Sequence, residues 1–433
     1  GTAVSFLIFF LALLWTFFSG AATYWAILAA LIAFIFSSMK KGFTFREVWA
    51  MGWKEMPKAF IVLRVILFVG ILTGLLRSCG TIACFVYSGT RILPPQLFVL
   101  LSFLICTLLS YLLGSSFAVC STAGVILMVF ARSGGVSIPV AAGAIISGVY
   151  FGDRGAPTSS CAALVAAVTE TKVTDNVKWM HKTALVPYAI ILVLYTALSF
   201  RHPLSSLDQG VLSTIEETFV LHPVVLLPAL LILILPFLKC RIWVSMGISA
   251  LSALLVSVLF QGYSLLACMR FLTFGFTSEA MESLTGGGIV SMKSVLILIP
   301  AASMLSGILG GTGVLDAAQS AVEKMAGRIG KLPSMFVLSS LSAMVFCNQT
   351  VSVMLSHQML KGVYAKEGRE KTEMAIDIEN TGVTLSGLVP WSIACSVPLS
   401  ILGADLRALP YEFLLYLIPL CYLGLKQFYF PSK

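Results

Sequence analysis

The chain has 433 residues, 58% hydrophobic and 11% charged, and a formal net charge of +9. Soluble domains carry roughly 25% charged residues, so a water-soluble enzyme or binding domain is excluded and an all-α polytopic membrane protein is indicated. The basic excess gathers between apolar runs, which is the pattern of membrane orientation and leaves no role for nucleic acid.

Two apolar runs, 3–18 and 22–38, open the sequence. The first lacks the basic flank of a signal peptide and a second span follows at once, so both are expected to be membrane helices. The connector 39–58 sets Lys40, Lys41, Arg46, Lys54 and Lys58 beside Trp49 and Trp53, as an interfacial helix does. A span at 59–77 carries Arg64. The run 96–131 is interrupted at Gly114-Ser115-Ser116, and each arm falls short of the ~20 residues of a comfortable span. It reads as a re-entrant hairpin with serines at its tip. The run 137–170 is apolar to Phe151 and then polar, through Gly152, Asp153, Arg154, Gly155, Pro157, Thr158, Ser159 and Ser160. Irregular backbone at membrane depth is tolerated only where it is buried in protein or lines a cavity. A span at 183–200 closes this half.

The second half follows the same order. Spans at 222–238 and 242–259 precede a polar segment with Glu279 and Glu282. A span at 289–310 leads to a basic connector with Lys324, Arg328 and Lys331. The run 334–360 breaks at Cys347-Asn348-Gln349-Thr350. The run 375–402 breaks at Glu379-Asn380-Thr381-Gly382 and again near Pro390, and a last span covers 411–427. Ser115 and Asn348 are 233 positions apart, and Asp153 and Asn380 are 227 apart. Matched broken segments at regular spacing indicate a transporter built from internal repeats. The expected architecture is two repeats, 1–200 and 201–433, in one membrane unit. It has about ten transmembrane spans, two re-entrant hairpins and a broken helix in each repeat. Five crossings per half invert the second repeat. With both termini cytoplasmic, the inner segments hold 19 of the 28 Lys and Arg residues, in line with the positive-inside rule.

In an inverted repeat the four polar breaks meet near the bilayer midplane. The candidate ion- or substrate-binding residues are therefore Ser115 and Ser116, then Asp153, Arg154, Thr158, Ser159 and Ser160. From the second half come Asn348, Gln349 and Thr350, then Glu379, Asn380, Thr381, Thr384 and Ser386. Hydroxyls, amides and freed carbonyls supply oxygens for Na⁺, with Asp153, Ser159, Glu379 and Asn380 the residues expected to hold it. A lone serine at such a break more often caps a helix or bonds its own carbonyl; four coincident breaks favour a site. Asp153 and Arg154 either neutralise each other as a buried pair, with Glu379 joining, or divide the work. In the second case the carboxylates handle the cation or proton and the guanidinium an anionic group. His357 reads as a packing residue, and the ten cysteines as small hydrophobes. There is no cofactor motif, metal-ligand spacing or nucleophile–His–acid arrangement, so an enzyme is not expected. A channel would not require paired hairpins and broken helices.

At these residues the chain resembles the NhaC-type sodium/proton antiporters. The resemblance rests on Gly114-Ser115-Ser116, on Ala142 to Gly148, on Tyr150-Phe151-Gly152-Asp153-Arg154 with Pro157 and Ser159, and on Glu379 to Thr384 with Leu388-Val389-Pro390-Trp391. It covers nearly the whole chain. It implies a secondary antiporter of the ion-transporter superfamily, in the cell membrane, with Na⁺ and H⁺ as coupling ions and a mobile transport part on a scaffold, often as a homodimer. The default activity it implies is Na⁺/H⁺ exchange; the alternative is ion-coupled transport of a small organic anion or amino acid. Ser160, Asn348 and Asn380 stand where members of the family are commonly acidic, and Ser392 where asparagine is usual. These departures favour the organic solute.

Overall fold

The computed structural model describes residues 2–19, 21–92, 94–205, 209–238, 240–278, 285–313, 319–366 and 371–431. Glu279 and Glu282 lie outside the described residues. Six described helices are long and apolar enough to cross a membrane: Ala59–Ser78, Pro95–Leu113, Ser116–Ser133, Val173–Arg201, Ile242–Leu259 and Ile289–Gly311. A seventh candidate is the pair Lys371–Leu388 and Ile393–Leu402, bent by 54°. Shorter apolar helices include Tyr24–Lys40, Lys331–Phe346 and Phe413–Tyr429. The protein is an integral membrane protein. The basic connector forms the helix Phe45–Trp53, opened by a capping box in which Thr44 and Glu47 exchange hydrogen bonds. Its Phe45, Trp49 and Trp53 stack on one exposed face.

Element lengths recur at a fixed spacing. Phe98–Leu113 and Lys331–Phe346 each have 16 residues and begin 233 apart. Ser116–Ser133 and Gln349–Lys366 have 18 residues each at the same spacing. So do Ile138–Gly155 and Lys371–Leu388, and the ten-residue helices Ser160–Thr169 and Ile393–Leu402 follow suit. The backbone follows as well: Gly114 and Cys347 both turn left-handed, with φ of 66° and 55°, and so do Glu170 and Gly403, at 55° and 60°. A non-glycine residue in this region is uncommon, so its recurrence at matched places is a property of the architecture.

This spacing alters one pairing. Asp153 falls opposite Ser386, while Glu379 and Asn380 fall opposite Ile146 and Ser147. The 227-residue spacing of Asp153 and Asn380 aligned polar side chains, whereas the backbone aligns the breaks Ala156–Ser159 and Val389–Ser392. The helical ladder also survives further than expected. Ile138–Gly155 is α-helical through Asp153 and Arg154. Glu379–Val383 is not a gap but a π-helical turn, matched in type by Cys120–Gly124 in the first hairpin. Such turns widen the helix locally and occur often at functional sites.

The first hairpin packs its arm Phe98–Leu113 onto Ile138–Gly155 through glycine. Gly148 and Gly152 bring the two backbones together. The Gly152 N–H donates to Ser110 Oγ at 3.0 Å, and Ser110 Oγ donates to Gly148 O at 2.9 Å. A Cβ at Gly152 would lie 2.1 Å from the Ser110 carbonyl carbon. Gly152→Ala therefore has to push the arms apart. It is expected to lower stability by about 1–3 kcal/mol, read as a fall in melting temperature in detergent. An unchanged melting temperature would mean the arms pack more loosely than described.

Candidate functional site

Each hairpin tip rests on the break of the interrupted helix in its own half. At Gly114 a Cβ would come within 2.5 Å of Thr158, and its left-handed φ favours glycine on a second count. In the second half the Ile393 N–H donates to Cys347 O at 2.9 Å, and Trp391 Nε1 donates to Met344 O at 2.8 Å. The two halves then meet. The Asp153 carboxylate, 7% exposed, faces the backbone and hydroxyl of Ser116 from one tip and the side chain of Gln349 from the other. Gln349 also donates to Val383 O at the end of the π-helical turn, at 2.9 Å.

Behind Asp153 lies a drier group. Glu379 is fully buried, and neither carboxylate oxygen has a hydrogen-bond partner among the described residues. Its neighbour Asn380 donates through Nδ2 to Thr183 Oγ1 at 3.3 Å and leaves Oδ1 unpartnered. Arg154, 1% exposed, is the cation that faces Glu379. Its Nη2 donates to Met180 O at 2.5 Å and Nε is unpartnered. Among the described residues the Arg154–Glu379 pair does not close to an ion pair within 4 Å. Three buried oxygens without donors thus lie beside one guanidinium. An unpaired buried charge is costly, which makes these oxygens the candidate place for a proton or a cation.

The remaining hydroxyls are engaged locally. Ser159 caps Ser160–Thr169, accepting from Cys161 N at 3.1 Å and Ala162 N at 3.2 Å, and donates to the Asp153 carbonyl. With one donor and two acceptors taken, its oxygen has no lone pair for Na⁺ in this conformation. Ser115 caps its helix through Ala118 N, and Asn348 Oδ1 accepts from Thr350 N at 2.9 Å. Thr381, Thr384 and Ser386 donate to the carbonyls four residues back, at 2.7, 3.1 and 2.6 Å. Thr384 and Ser386 keep their lone pairs, while Thr381 Oγ1 also accepts from Ser339 Oγ at 3.4 Å and keeps one. Thr158 and Ser160 are exposed at the first break. His357 opens on a separate pocket with Glu170, Lys361 and Lys371.

Two features escaped the sequence reading. Glu412 opens the last helix, is 1% exposed and has both carboxylate oxygens unpartnered among the described residues. Tyr150 lies within electrostatic range of both Glu412 and Asp153. The second is a buried cluster of Glu373, Asp377 and Lys426. Glu373 and Asp377 sit four apart at the head of the second interrupted helix, a spacing that places them on one face.

The protein-family model described as the Na⁺/H⁺ antiporter family matches residues 148–427, a range that contains Asp153, Arg154, Gln349, Glu379 and Asn380. The chain belongs to this family. Three relatives span most of it. The malate-2H⁺/Na⁺-lactate antiporter of Bacillus subtilis (strain 168) is 28% identical over 76% of this chain and 72% of its own. The Na⁺/H⁺ antiporter NhaC of Alkalihalophilus pseudofirmus is 26% identical over 85% of this chain and 84% of its own. NhaC of Bacillus subtilis (strain 168) is 27% identical over 85% and 86%. As a member of this antiporter family the chain is a transporter in kind. Its buried acid–guanidinium centre falls within the matched range.

Proposed function

We propose that the protein is a secondary active antiporter of the NhaC type that exchanges Na⁺ for H⁺ across the plasma membrane by alternating access. The observation that carries this reading is Glu379: a buried carboxylate that accepts no hydrogen bond among the described residues, one helical turn of unusual width, and a neighbouring amide oxygen equally free. A proton or a Na⁺ can neutralise it, but not both at once, and alternation between the two is exchange. Na⁺ would take oxygens from Glu379, Asn380 Oδ1, Asp153 and the Gln349 carbonyl, with Thr381 and Thr384 lone pairs in reserve. Ser116 orients Asp153. Arg154 tempers the site. At 4 Å and an effective dielectric of 20 a like charge costs Na⁺ about 4 kcal/mol, so the cation binds weakly enough to leave. The test is purified protein in liposomes with a pH dye inside. Na⁺ added without any organic solute is expected to move protons outward against it; silence there would refute the reading.

A second reading is supported by the free Nε of Arg154 and by serine or asparagine at Ser160, Asn348 and Asn380. It is ion-coupled exchange of a small organic acid, the chemistry named for the malate-2H⁺/Na⁺-lactate relative. Silence to Na⁺ together with thermal stabilisation by a carboxylic acid would establish it in place of the first.

The recurrence of element lengths at 233 residues supports two inverted repeats, 1–200 and 201–433, with ten spans, two re-entrant hairpins and both termini cytoplasmic. A homodimer in the lipid bilayer is part of the same proposal. Ser133 and Lys366 end the matched hairpins. In an inverted arrangement, single cysteines at these two places label from opposite faces, and Lys178 labels with Lys366. Labelling of Ser133 and Lys366 from one face would remove the inversion.

A further inference from the structure

The helices Ala59–Ser78 and Ile242–Leu259 pack side by side. At Gly247 a Cβ would lie 3.4 Å from the Phe68 ring, so these two residues mark the facing sides of the pair. Arg64 stands four residues before Phe68, and Trp243 four before Gly247, one turn along the same faces. A place on the seam between two membrane helices is thus held by a guanidinium. Arg64 is five residues past Ala59, about 7–8 Å along the helix, and so belongs to the span and not to the basic connector before it.

An open pocket of about 510 Å³ continues this seam. Arg64 lines it from the first helix, Arg241 and Trp243 from the start of the second, and Leu113 and Ala118 from the two sides of the first hairpin tip. The rest of its wall is apolar, with Ile61, Val65, Pro236 and Ile242, and no carboxylate lines it. Both arginines are exposed, and neither forms an ion pair or a side-chain hydrogen bond among the described residues. Glu55, the acid nearest Arg64 in sequence, opens on a different pocket. Arg241 by itself would be an ordinary basic residue at a membrane border. A second guanidinium inside the span, sharing one apolar pocket with it, is not accounted for in that way, because an arginine at such a depth is costly without a partner.

We propose that this pocket binds an anionic phospholipid, its phosphodiester held by Arg64 and Arg241 and an acyl chain laid along the apolar wall. The charge of the pocket is complementary to such a headgroup: two cations and no acid. Guanidinium groups match phosphate oxygens with paired N–H donors and are weakly hydrated, so they give up little water on binding. Basic pockets between transmembrane helices take anionic headgroups by this chemistry. Trp243 joins an apolar ring to a single N–H, which suits headgroup level. The apolar wall separates a lipid from a soluble anion, since only acyl methylenes gain from leaving water there. The bound lipid touches two spans and both sides of the hairpin tip at once.

The experiment titrates purified protein in an uncharged detergent and reads the melting temperature. The probes are phosphatidylglycerol, phosphatidylcholine with the same acyl chains, and glycerol 3-phosphate. Phosphatidylglycerol alone is expected to give a rise that saturates, as a ligand of the folded state does. Arg64→Gln and Arg241→Gln are each expected to weaken its apparent affinity about fivefold, and the double variant about thirtyfold. The double variant Lys40→Gln, Lys41→Gln removes the same charge from an exposed helix end and is expected to leave the affinity unchanged. The single arginine variants carry the test if the double variant fails to fold. A wild type indifferent to phosphatidylglycerol, or equal weakening by the lysine and arginine pairs, would overturn the site. An equal rise with phosphatidylcholine would leave only an apolar lipid contact, and an equal rise with glycerol 3-phosphate a soluble-anion site; either contradicts the proposal.

Discussion

Glu379→Gln is expected to abolish Na⁺-driven proton movement, by at least about a hundredfold at any pH, while the protein stays folded. The amide keeps the volume and one oxygen of the carboxylate but can neither release a proton nor neutralise a cation. Two effects on stability oppose each other: the variant relieves the cost of burying a carboxylate whose oxygens are unpartnered, and it leaves the buried Arg154 guanidinium without the charge it faces. Its melting temperature should therefore stay close to that of wild type. Loss of activity with a stable fold is the signature. Exchange retained above a tenth of the wild-type rate would show that another carboxylate, with Asp153 the first to examine, carries the proton.

Arg154→Gln lowers stability. The guanidinium is the cation facing Glu379, and it is anchored by the Met180 carbonyl. Removing it gives up that bond and leaves a buried carboxylate facing no cation, a loss approaching the roughly 3–5 kcal/mol of a buried pair that loses one partner. A large drop in melting temperature follows. Without the positive field the competition between proton and cation at Glu379 changes, so the pH profile of any exchange that survives should shift from that of wild type. Under the organic-acid reading the same variant instead loses solute-induced thermal stabilisation. The pH profile and the ligand shift, measured on one preparation, distinguish the two. If stability, pH profile and solute response are all unchanged, Arg154 has neither role.

Much of the framework could be read from the residues. Gly114-Ser115 and Cys347-Asn348 interrupt apolar runs, and the structure turns the chain left-handed at Gly114 and Cys347. The polar stretch after Phe151 ends a helix, although the helix runs past Gly152 to Gly155. Asp153 and Arg154 remain in the last turn because a helix end tolerates glycine and only Pro157 lacks the N–H needed to continue. The register was less legible. Polar residues marked the two interrupted helices at different depths, so aligning Asp153 with Asn380 put the halves six residues out of step with their backbones. Serine chemistry was ambiguous for a reason of the same kind. A hydroxyl that caps a helix and one that binds a cation look alike in sequence, and only the count of bonds at Ser159 separates them. Lys426 and Glu412 fall inside the last apolar run, 411–427, with nothing in the sequence to set them apart. Their burial depends on which helix packs against them. The four-residue spacing of Glu373 and Asp377 was the available signal for their cluster with Lys426.

One titration addresses exchange at Glu379 without reconstitution, vesicles or gradients. Na⁺ is added to purified protein in weakly buffered detergent solution and the protons released are counted. Competition for one buried carboxylate predicts release of protons that saturates with Na⁺ in wild type, is suppressed by prior acidification, and is absent in Glu379→Gln. Na⁺ binding with no proton release in wild type, or release of the same size in Glu379→Gln, is incompatible with alternation of proton and cation at this residue.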